Sequence, residues 1–543
     1  MAITIGAQYY RPPFPRDGYW EDDLRRMKES GLDTVQLWMV WGWIEADCGR
    51  FDFSDYDRLV DAAGRNGLSV VLSTIAAVHP YWIHREVPDS EMVTNMGQKV
   101  VSTNRREIHY GITPGGCIDH PGVRDRMGRF LSACAERYAS TDAVIGWDVW
   151  NELRWNVHAD GLVCYCEHTV AAFRAWLEER YGSLAELNAA WERRYARWDE
   201  VLPGKRPGRV YTEMMAFEEF ISDRSVEHAR WRYRIVKDLN PGKPVTVHGG
   251  KPTVLYGTDS YHADESTTAL HRGNDWGFAE VIDGVGTSSF PVWEDIDHTD
   301  FTSRIDFVRA AAEQHGKALW LSELQGGRSA DGFTPQHAVS ASVQQRWIWT
   351  GLATGAKTIL FWCWRDEIFG RESGGFGIIG ADGRADERVR ALVAMREILT
   401  REGALLESYA PEPARVGVWF SPRTYYHSWC EDGDAARPMH ALQGLTRALL
   451  RNSIPYTIVE EDHTAALDAL SVLFMPRAIV VEPHQADAID RFVERGGTLV
   501  TESETGAFGA NGLYRYQDER FLARYGIVEQ GRRPLPADIV PVS

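Results

Sequence analysis

The feature that most constrains this chain is an alternation repeated eight times, in which a short β-branched or aromatic run gives way to a segment of helical period. The runs are Ile3 to Tyr10, Thr34 to Trp41, Ser69 to Thr74, Ala143 to Trp150, Pro244 to His248, Gly284 to Ser288, Ala318 to Ser322 and Thr358 to Trp364. After the second run, Tyr56, Leu59, Val60 and Ala63 fall at i, i+3, i+4 and i+7, the apolar stripe of a helix that Gly67 stops. Val123, Met127, Phe130, Leu131, Cys134 and Tyr138 make a second such stripe. Parallel strands need helical crossovers of one hand, so eight such units predict an α/β fold closed as a (β/α)8 TIM barrel. An open nucleotide-binding sheet lacks support, because no Gly-x-Gly-x-x-Gly follows an early strand and no P-loop pattern occurs.

The barrel is expected over residues 1–400, with a long insertion after strand four at about 153–243. From about Ala410 the texture restarts with short apolar runs at Ala414 to Phe420, Tyr456 to Val459, Val472 to Met475, Ala478 to Val481 and Thr498 to Thr501. Helical stretches, notably Met439 to Arg451 and Ala486 to Arg495, separate them. Residues 410–543 therefore predict a smaller flavodoxin-like or amidotransferase-like α/β domain. Amidotransferase chemistry needs a nucleophilic Cys at a strand-to-helix elbow, and Val472-Leu473-Phe474-Met475-Pro476-Arg477 has neither Cys nor Ser. A structural or oligomerisation role follows.

Composition narrows the partners. Hydrophobic residues at 44% and charged residues at 25% are those of a globular protein. The net charge of −18 comes with no basic stripe, so nucleic acid is not an expected partner. The most apolar runs fall far short of the ~20 residues of a membrane span. The first residues show no basic n-region, long apolar core or cleavage site, and the seven cysteines are an odd number, so a soluble, cytoplasmic protein without a disulfide framework is expected.

Chemistry is concentrated at two strand ends, Gly146-Trp147-Asp148-Val149-Trp150-Asn151-Glu152 on strand four and Leu319-Trp320-Leu321-Ser322-Glu323-Leu324-Gln325 on strand seven. The C-terminal ends of barrel strands converge on one pocket, so Glu152 and Glu323 are expected to face each other. A strand-end Glu taken singly is more often a solvated or capping residue. As a pair in this register, the two are the minimum equipment for glycoside hydrolysis: one carboxyl protonates the leaving oxygen and the other, ionised, attacks the anomeric carbon. A separation of ~5–5.5 Å would mean retention and ~6.5–9.5 Å inversion. Asn151 is placed to contact the sugar 2-hydroxyl.

These residues resemble glycoside hydrolase family 42, the β-galactosidases of the retaining (β/α)8 glycosidase clan. The resemblance rests on Asn151-Glu152 and Glu323, on Tyr9-Tyr10-Arg11-Pro12, on Trp20 to Gly31 and Gly49-Arg50-Phe51-Asp52-Phe53-Ser54, and on Cys164-Tyr165-Cys166 with Phe173-Arg174-Ala175-Trp176-Leu177 and Leu187-Asn188-Ala189-Ala190-Trp191. It covers roughly residues 1–510. It implies that Glu152 is the acid/base and Glu323 the nucleophile of a retaining, exo-acting β-glycosidase, and that the second domain helps build a homotrimer. Other sequence positions depart from the family. Gln36 stands where an Arg is usual at the end of strand two, and Thr113-Pro114 replace an Arg pair for which Arg105, Arg106 and His109 offer substitutes. Glu372 is followed by Ser373-Gly374-Gly375 rather than by a His three residues on. Lost charged contacts change which hydroxyl pattern a sugar site favours. The expected substrate is thus a terminal β-galactoside, with a β-L-arabinopyranoside, β-D-fucoside or β-glucoside as the alternative, or an inactive sugar-binding barrel as the non-enzymatic one.

The resemblance also implies a structural zinc for which Cys117, Cys164 and Cys166 supply three ligands, while Thr169 occupies the fourth Cys position and His168 or His120 is a possible replacement. Buried free thiols are the other reading. No cofactor is expected for catalysis. Finally, 21 Trp against 20 Phe suggests rings that stack on sugar faces. Those within or just past strand ends, Trp41, Trp43, Trp155, Trp320, Trp362 and Trp364, join Asn151, Gln36, His109 and Glu372 as expected substrate contacts.

Overall fold

The computed structural model describes residues 3–101, 113–152, 161–205, 208–256, 273–328 and 337–530. Among them, eight parallel strands close into a barrel: β1 (Thr4–Gln8), β2 (Thr34–Val40), β3 (Ser69–Ile75), β4 (Val144–Asp148), β5 (Val245–His248), β6 (Gly284–Ser289), β7 (Ala318–Gln325) and β8 (Thr358–Trp362). They pair in the order β1-β8-β7-β6-β5-β4-β3-β2, and β2 against β1 completes the ring. Every run expected for the barrel forms a strand. Period-two alternation sends Val35, Leu37 and Met39 of β2 outward into the core beneath the helices and leaves Gln36 and Trp38 facing the lumen. Val71, Trp320 and Leu360 pack together as the lumen floor.

The crossover helices bury the expected stripes. Ser54–Arg65 buries Tyr56, Leu59, Val60 and Ala63. Pro121–Arg137 starts on His120, whose Nδ1 accepts from Gly122 N, and buries Val123, Met127, Phe130, Leu131 and Cys134. Each buried Val, Leu, Met or Phe among them stabilises the fold by roughly 1.5–3 kcal/mol. The stretch between β4 and β5 contains Glu167–Tyr181, Leu184–Trp191 and the 28-residue helix Thr212–Leu239, which returns along Pro121–Arg137.

A separate four-stranded parallel sheet follows: β9 (Val416–Phe420), β10 (Tyr456–Glu460), β11 (Val472–Met475) and β12 (Thr498–Thr501), in the order β10-β9-β11-β12. The expected strand at Ala478 to Val481 does not form. Val480 makes one bridge to Phe508, and its N–H goes to the Thr424 hydroxyl instead of a ladder carbonyl. The turn after β11 places Arg477 at φ +44°. Helix Pro422–Asp432, unforeseen because its aromatic residues favour strands, starts on a Ser421 cap. Its Arg423 binds Glu461 and Asp462 beside it and Glu219 of the long helix, and Thr212 donates to Asn511 O, so the second sheet docks on the barrel insertion. No helix of the described residues is long and apolar enough to cross a membrane.

Candidate active site

The position of Glu323 depends on a bulge. Thr287 pairs with Leu321 but Ser288 pairs with Glu323, and the register slips likewise against β8. A bulge turns two successive side chains to one face. Glu323 therefore joins Ser322 on the lumen side, where alternation alone would have sent it outward. Gly286 makes room: a Cβ there would stand 2.0 Å from Ser322 Oγ.

Glu323 is 5% exposed. Gln8 Nε2, from β1, donates to Glu323 Oε1 at 3.2 Å and to Ser322 O at 2.9 Å. Trp38 Nε1 donates to Gln8 Oε1, which fixes the amide orientation. From β6, Ser288 Oγ lies 3.5 Å from Glu323 Oε2, and from β5, His248 Nδ1 lies 3.8 Å from Oε1. Burial drives the Glu323 carboxyl well above the usual range, and the Glu152 charge adds to this, while the Gln8 N–H opposes it. Burial and the neighbouring carboxylate thus both work against ionisation of Glu323, and the two carboxyls titrate as an interacting pair.

Asn151 and Glu152 sit in a bend beyond β4, which ends at Asp148, so they are not the last residues of the strand as expected. Glu152 adopts φ +42°. Gly250 opposite, at φ +68°, would bring a Cβ within 3.2 Å of Tyr256 Oη and 3.7 Å of Glu152 Cγ. The bend is held from beneath. Val149 N donates to Thr246 O and His248 N to Trp150 O, while Arg232 Nη1 donates to Val149 O at 3.2 Å with its guanidinium 4.0 Å from the Trp150 ring. Burial lowers the Arg232 pKa to about 9. Below it, burial raises Asp148 to about 6 against the Ser73 hydroxyl and Trp150 N–H that bind it. Asn151 Oδ1 meets His248 Nδ1 at 2.7 Å, and His248 Nε2 meets Ser288 Oγ. A polar chain thus runs from Asn151 through His248 and Ser288 to Glu323.

The mouth is lined by Arg11, Trp38 and Trp362. Trp38 and Trp362 lie 5.1 Å apart, with the Arg11 guanidinium 4.6 Å from the Trp362 ring. Arg11 Nη2 donates to Glu372 at 2.6 Å and its Nε lies 3.6 Å from Glu367. Burial works against the Arg11 charge, but Glu372 and Glu367 outweigh it and hold its pKa above the ordinary value. Phe290, Trp293 and Phe376 extend this apolar wall.

Of the expected contacts, Asn151, Trp362 and Glu372 come to this site. Gln36 is the third of seven residues in β2, not its end; it sits beside Gln8 in the lumen with its Nε2 lacking a hydrogen-bond partner. Trp320 lies on the lumen floor. Trp41 is a core residue, stacked on Phe130 and donating to Glu45. Trp43 donates to Asp55 of the following helix, and Trp364, fully buried, packs in the outer core beyond the end of β8. Each of these three departs from the expectation because the chain turns away as the strand ends. Trp155, Arg105, Arg106 and His109 lie outside the described residues. Gln8, His248 and Ser288 were missed, although each is a polar residue at or near the end of an apolar run, the signal that singled out Glu323.

The sulfurs of Cys117, Cys164 and Cys166 lie within 4.8 Å of one another, with Cys117 and Cys166 3.5 Å apart. Thr169 Oγ1 completes the group, 3.3 Å from Cys117 Sγ and 3.5 Å from Cys166 Sγ. The His120 and His168 rings pack on each other, 4.5 Å apart, and neither joins the cluster.

The β-galactosidase model of glycoside hydrolase family 42 matches residues 9–400. The β-galactosidase LacZ of Heyndrickxia coagulans is 27% identical over 517 residues, which cover 92% of this chain and 72% of that protein. The β-galactosidase structure from Bacillus circulans sp. alkalophilus superposes with a TM-score of 0.82 at 22% identity, covering 99% of this chain and 76% of that one. That of Halorubrum lacusprofundi gives 0.81 at 23% identity, covering 96% and 76%. With a family match spanning the barrel, and with paired carboxyls at its mouth, the chain belongs to glycoside hydrolase family 42 and is a glycoside hydrolase.

Proposed function

We propose that the protein removes terminal non-reducing β-galactosyl residues from small glycosides by double displacement with retention. Glu323 is the nucleophile and Glu152 the general acid/base. The observation that carries this reading is the bulged position of Glu323, with Gln8 and Ser288 placed to donate to its two oxygens and the Glu152 charge acting on it. Such donors oppose the effect of burial and stabilise the ionised form that attack requires, which leaves Glu152 as the carboxyl that must protonate the leaving oxygen. Asn151, held by His248, binds the 2-hydroxyl as charge develops at the anomeric centre. Trp362 and Trp38 present faces for the sugar ring, and Arg11 with Glu372 reads its hydroxyls. Glu152→Gln and Glu323→Gln should each lower kcat by at least about 10²–10⁴-fold while the fold survives; near-normal turnover in either contradicts the assignment.

Glu372 is tied to Arg11 and followed by Ser373, which favours a second reading on the sugar alone: a β-D-fucoside or β-L-arabinopyranoside, cleaved by the same residues. A panel of nitrophenyl glycosides compared by kcat/KM decides between them. Zinc on Cys117, Cys164 and Cys166 fits the converging sulfurs, with Thr169 at the fourth side, and would tie the residues before helix Pro121–Arg137 to the start of Glu167–Tyr181. The free thiols support a reducing, cytoplasmic setting, and the second sheet is the surface for a homotrimer.

A further inference from the structure

A second group of metal-ligating side chains lies at the other end of the barrel, where the chain enters β6 and β7. Glu280 is on helix Asp275–Val281 before β6, His315 follows helix His298–Gln314 before β7, and His463 comes from the second sheet, just after β10. We propose that Glu280, His315 and His463 bind one Zn2+ that pins the base of the barrel to the second sheet.

The geometry supports coordination. One ligand atom from each of the three lies within 4.8 Å of the others, and His463 Nε2 is 3.1 Å from Glu280 Oε1. Two donors each ~2.0–2.1 Å from a tetrahedral zinc stand about 3.3 Å apart. Orientation is already fixed. His463 Nδ1 bonds to Glu460 Oε2 at 2.6 Å, and Asn274 Nδ2 donates to Glu460 Oε1 at 2.8 Å. A ligating imidazole commonly gives its second N–H to such an anchored carboxylate. The His315 ring meets that of His463 edge-on at 5.3 Å, and its Nε2 is buried without a hydrogen-bond partner. An imidazolium at His463 bridging Glu460 and Glu280 would account for the His463 contacts but would leave His315 Nε2 unpaired. The Glu280 side chain, 49% exposed, leaves an entry path and a fourth position for water.

The test counts metal. Full-length protein stripped with chelator is dialysed against Zn2+ alone, and bound zinc per chain is measured for the wild type, Glu280→Ala and His315→Ala. Each variant is expected to hold one zinc fewer than the wild type, whatever Cys117, Cys164 and Cys166 hold, and to lose part of the zinc-dependent rise in Tm while nitrophenyl glycoside turnover persists. Equal zinc in the wild type and either folded variant overturns the proposal. Glu280→Ala alters a half-exposed side chain and carries the test by itself if His315→Ala does not fold.

Discussion

Replacing Gln8 with Leu, similar in volume but without a donor, should show how far the first strand controls the nucleophile. The substitution removes the N–H that Glu323 Oε1 accepts at 3.2 Å, the contact that opposes the rise in its pKa. Hydrogen bonds to charged groups contribute about 1.5–3 kcal/mol, and at 3.2 Å the lower end applies, about 1.5 kcal/mol. That corresponds to roughly one further pKa unit on Glu323 and about a tenfold loss in kcat/KM. Because Glu323 must be ionised to attack, a higher pKa means that more alkaline conditions are needed. The acidic limb of the kcat/KM profile should therefore move up by about one pH unit, with the alkaline limb less affected. The assay is nitrophenyl galactoside hydrolysis across pH, with a Tm for each protein because Ser322 O and Trp38 Nε1 also lose their partner. An unmoved acidic limb with wild-type kcat/KM would refute the role given to Gln8.

Three further outcomes follow from the same geometry. Trp362→Ala and Trp41→Ala both empty buried sites and should each cost about 3–5 kcal/mol of stability, but only Trp362→Ala, at the barrel mouth, should also raise KM, as melts and kinetics on both will show. Asp148 has a folded pKa raised to about 6, so its contribution is present below the unfolded value and lost as pH rises through about 6. Asp148→Asn should abolish that loss, worth up to about 3 kcal/mol, and flatten the Tm profile between about pH 4 and pH 7. Cys164→Ser should lower Tm and reduce the further destabilisation produced by chelator, provided zinc sits on the thiolates; equal chelator sensitivity in both proteins contradicts that site.

The barrel was legible because its signal repeats: each strand is a short run with an apolar outward face and each helix carries one stripe, so single ambiguities do not alter the count. The strand ends were less legible. Trp41 and Trp364 follow strands in sequence yet turn into the core, since the chain direction past a strand is set by local turns and not by periodicity. Ala478 to Val481 is apolar enough for a strand, but its N–H at Val480 is taken by Thr424, a tertiary contact invisible in the sequence. In the site, Glu152 and Glu323 announce themselves as charges ending apolar runs. The bulge that turns Glu323 inward does not, because alternation from Trp320 predicts the opposite face. Gln8, His248 and Ser288 lie on strands distant in sequence, and only closure of the ring brings them to one carboxylate.

The central claim, that Glu323 is the nucleophile of a retaining glycosidase, is tested most directly by azide rescue of Glu323→Gly on a nitrophenyl β-galactoside. Azide filling the vacated space attacks the anomeric carbon from the Glu323 side, so restored turnover should yield the α-galactosyl azide, inverted relative to the substrate. A β-galactosyl azide, with configuration retained, would mean that Glu323 is not the nucleophile and that the roles of the two carboxyls must be exchanged.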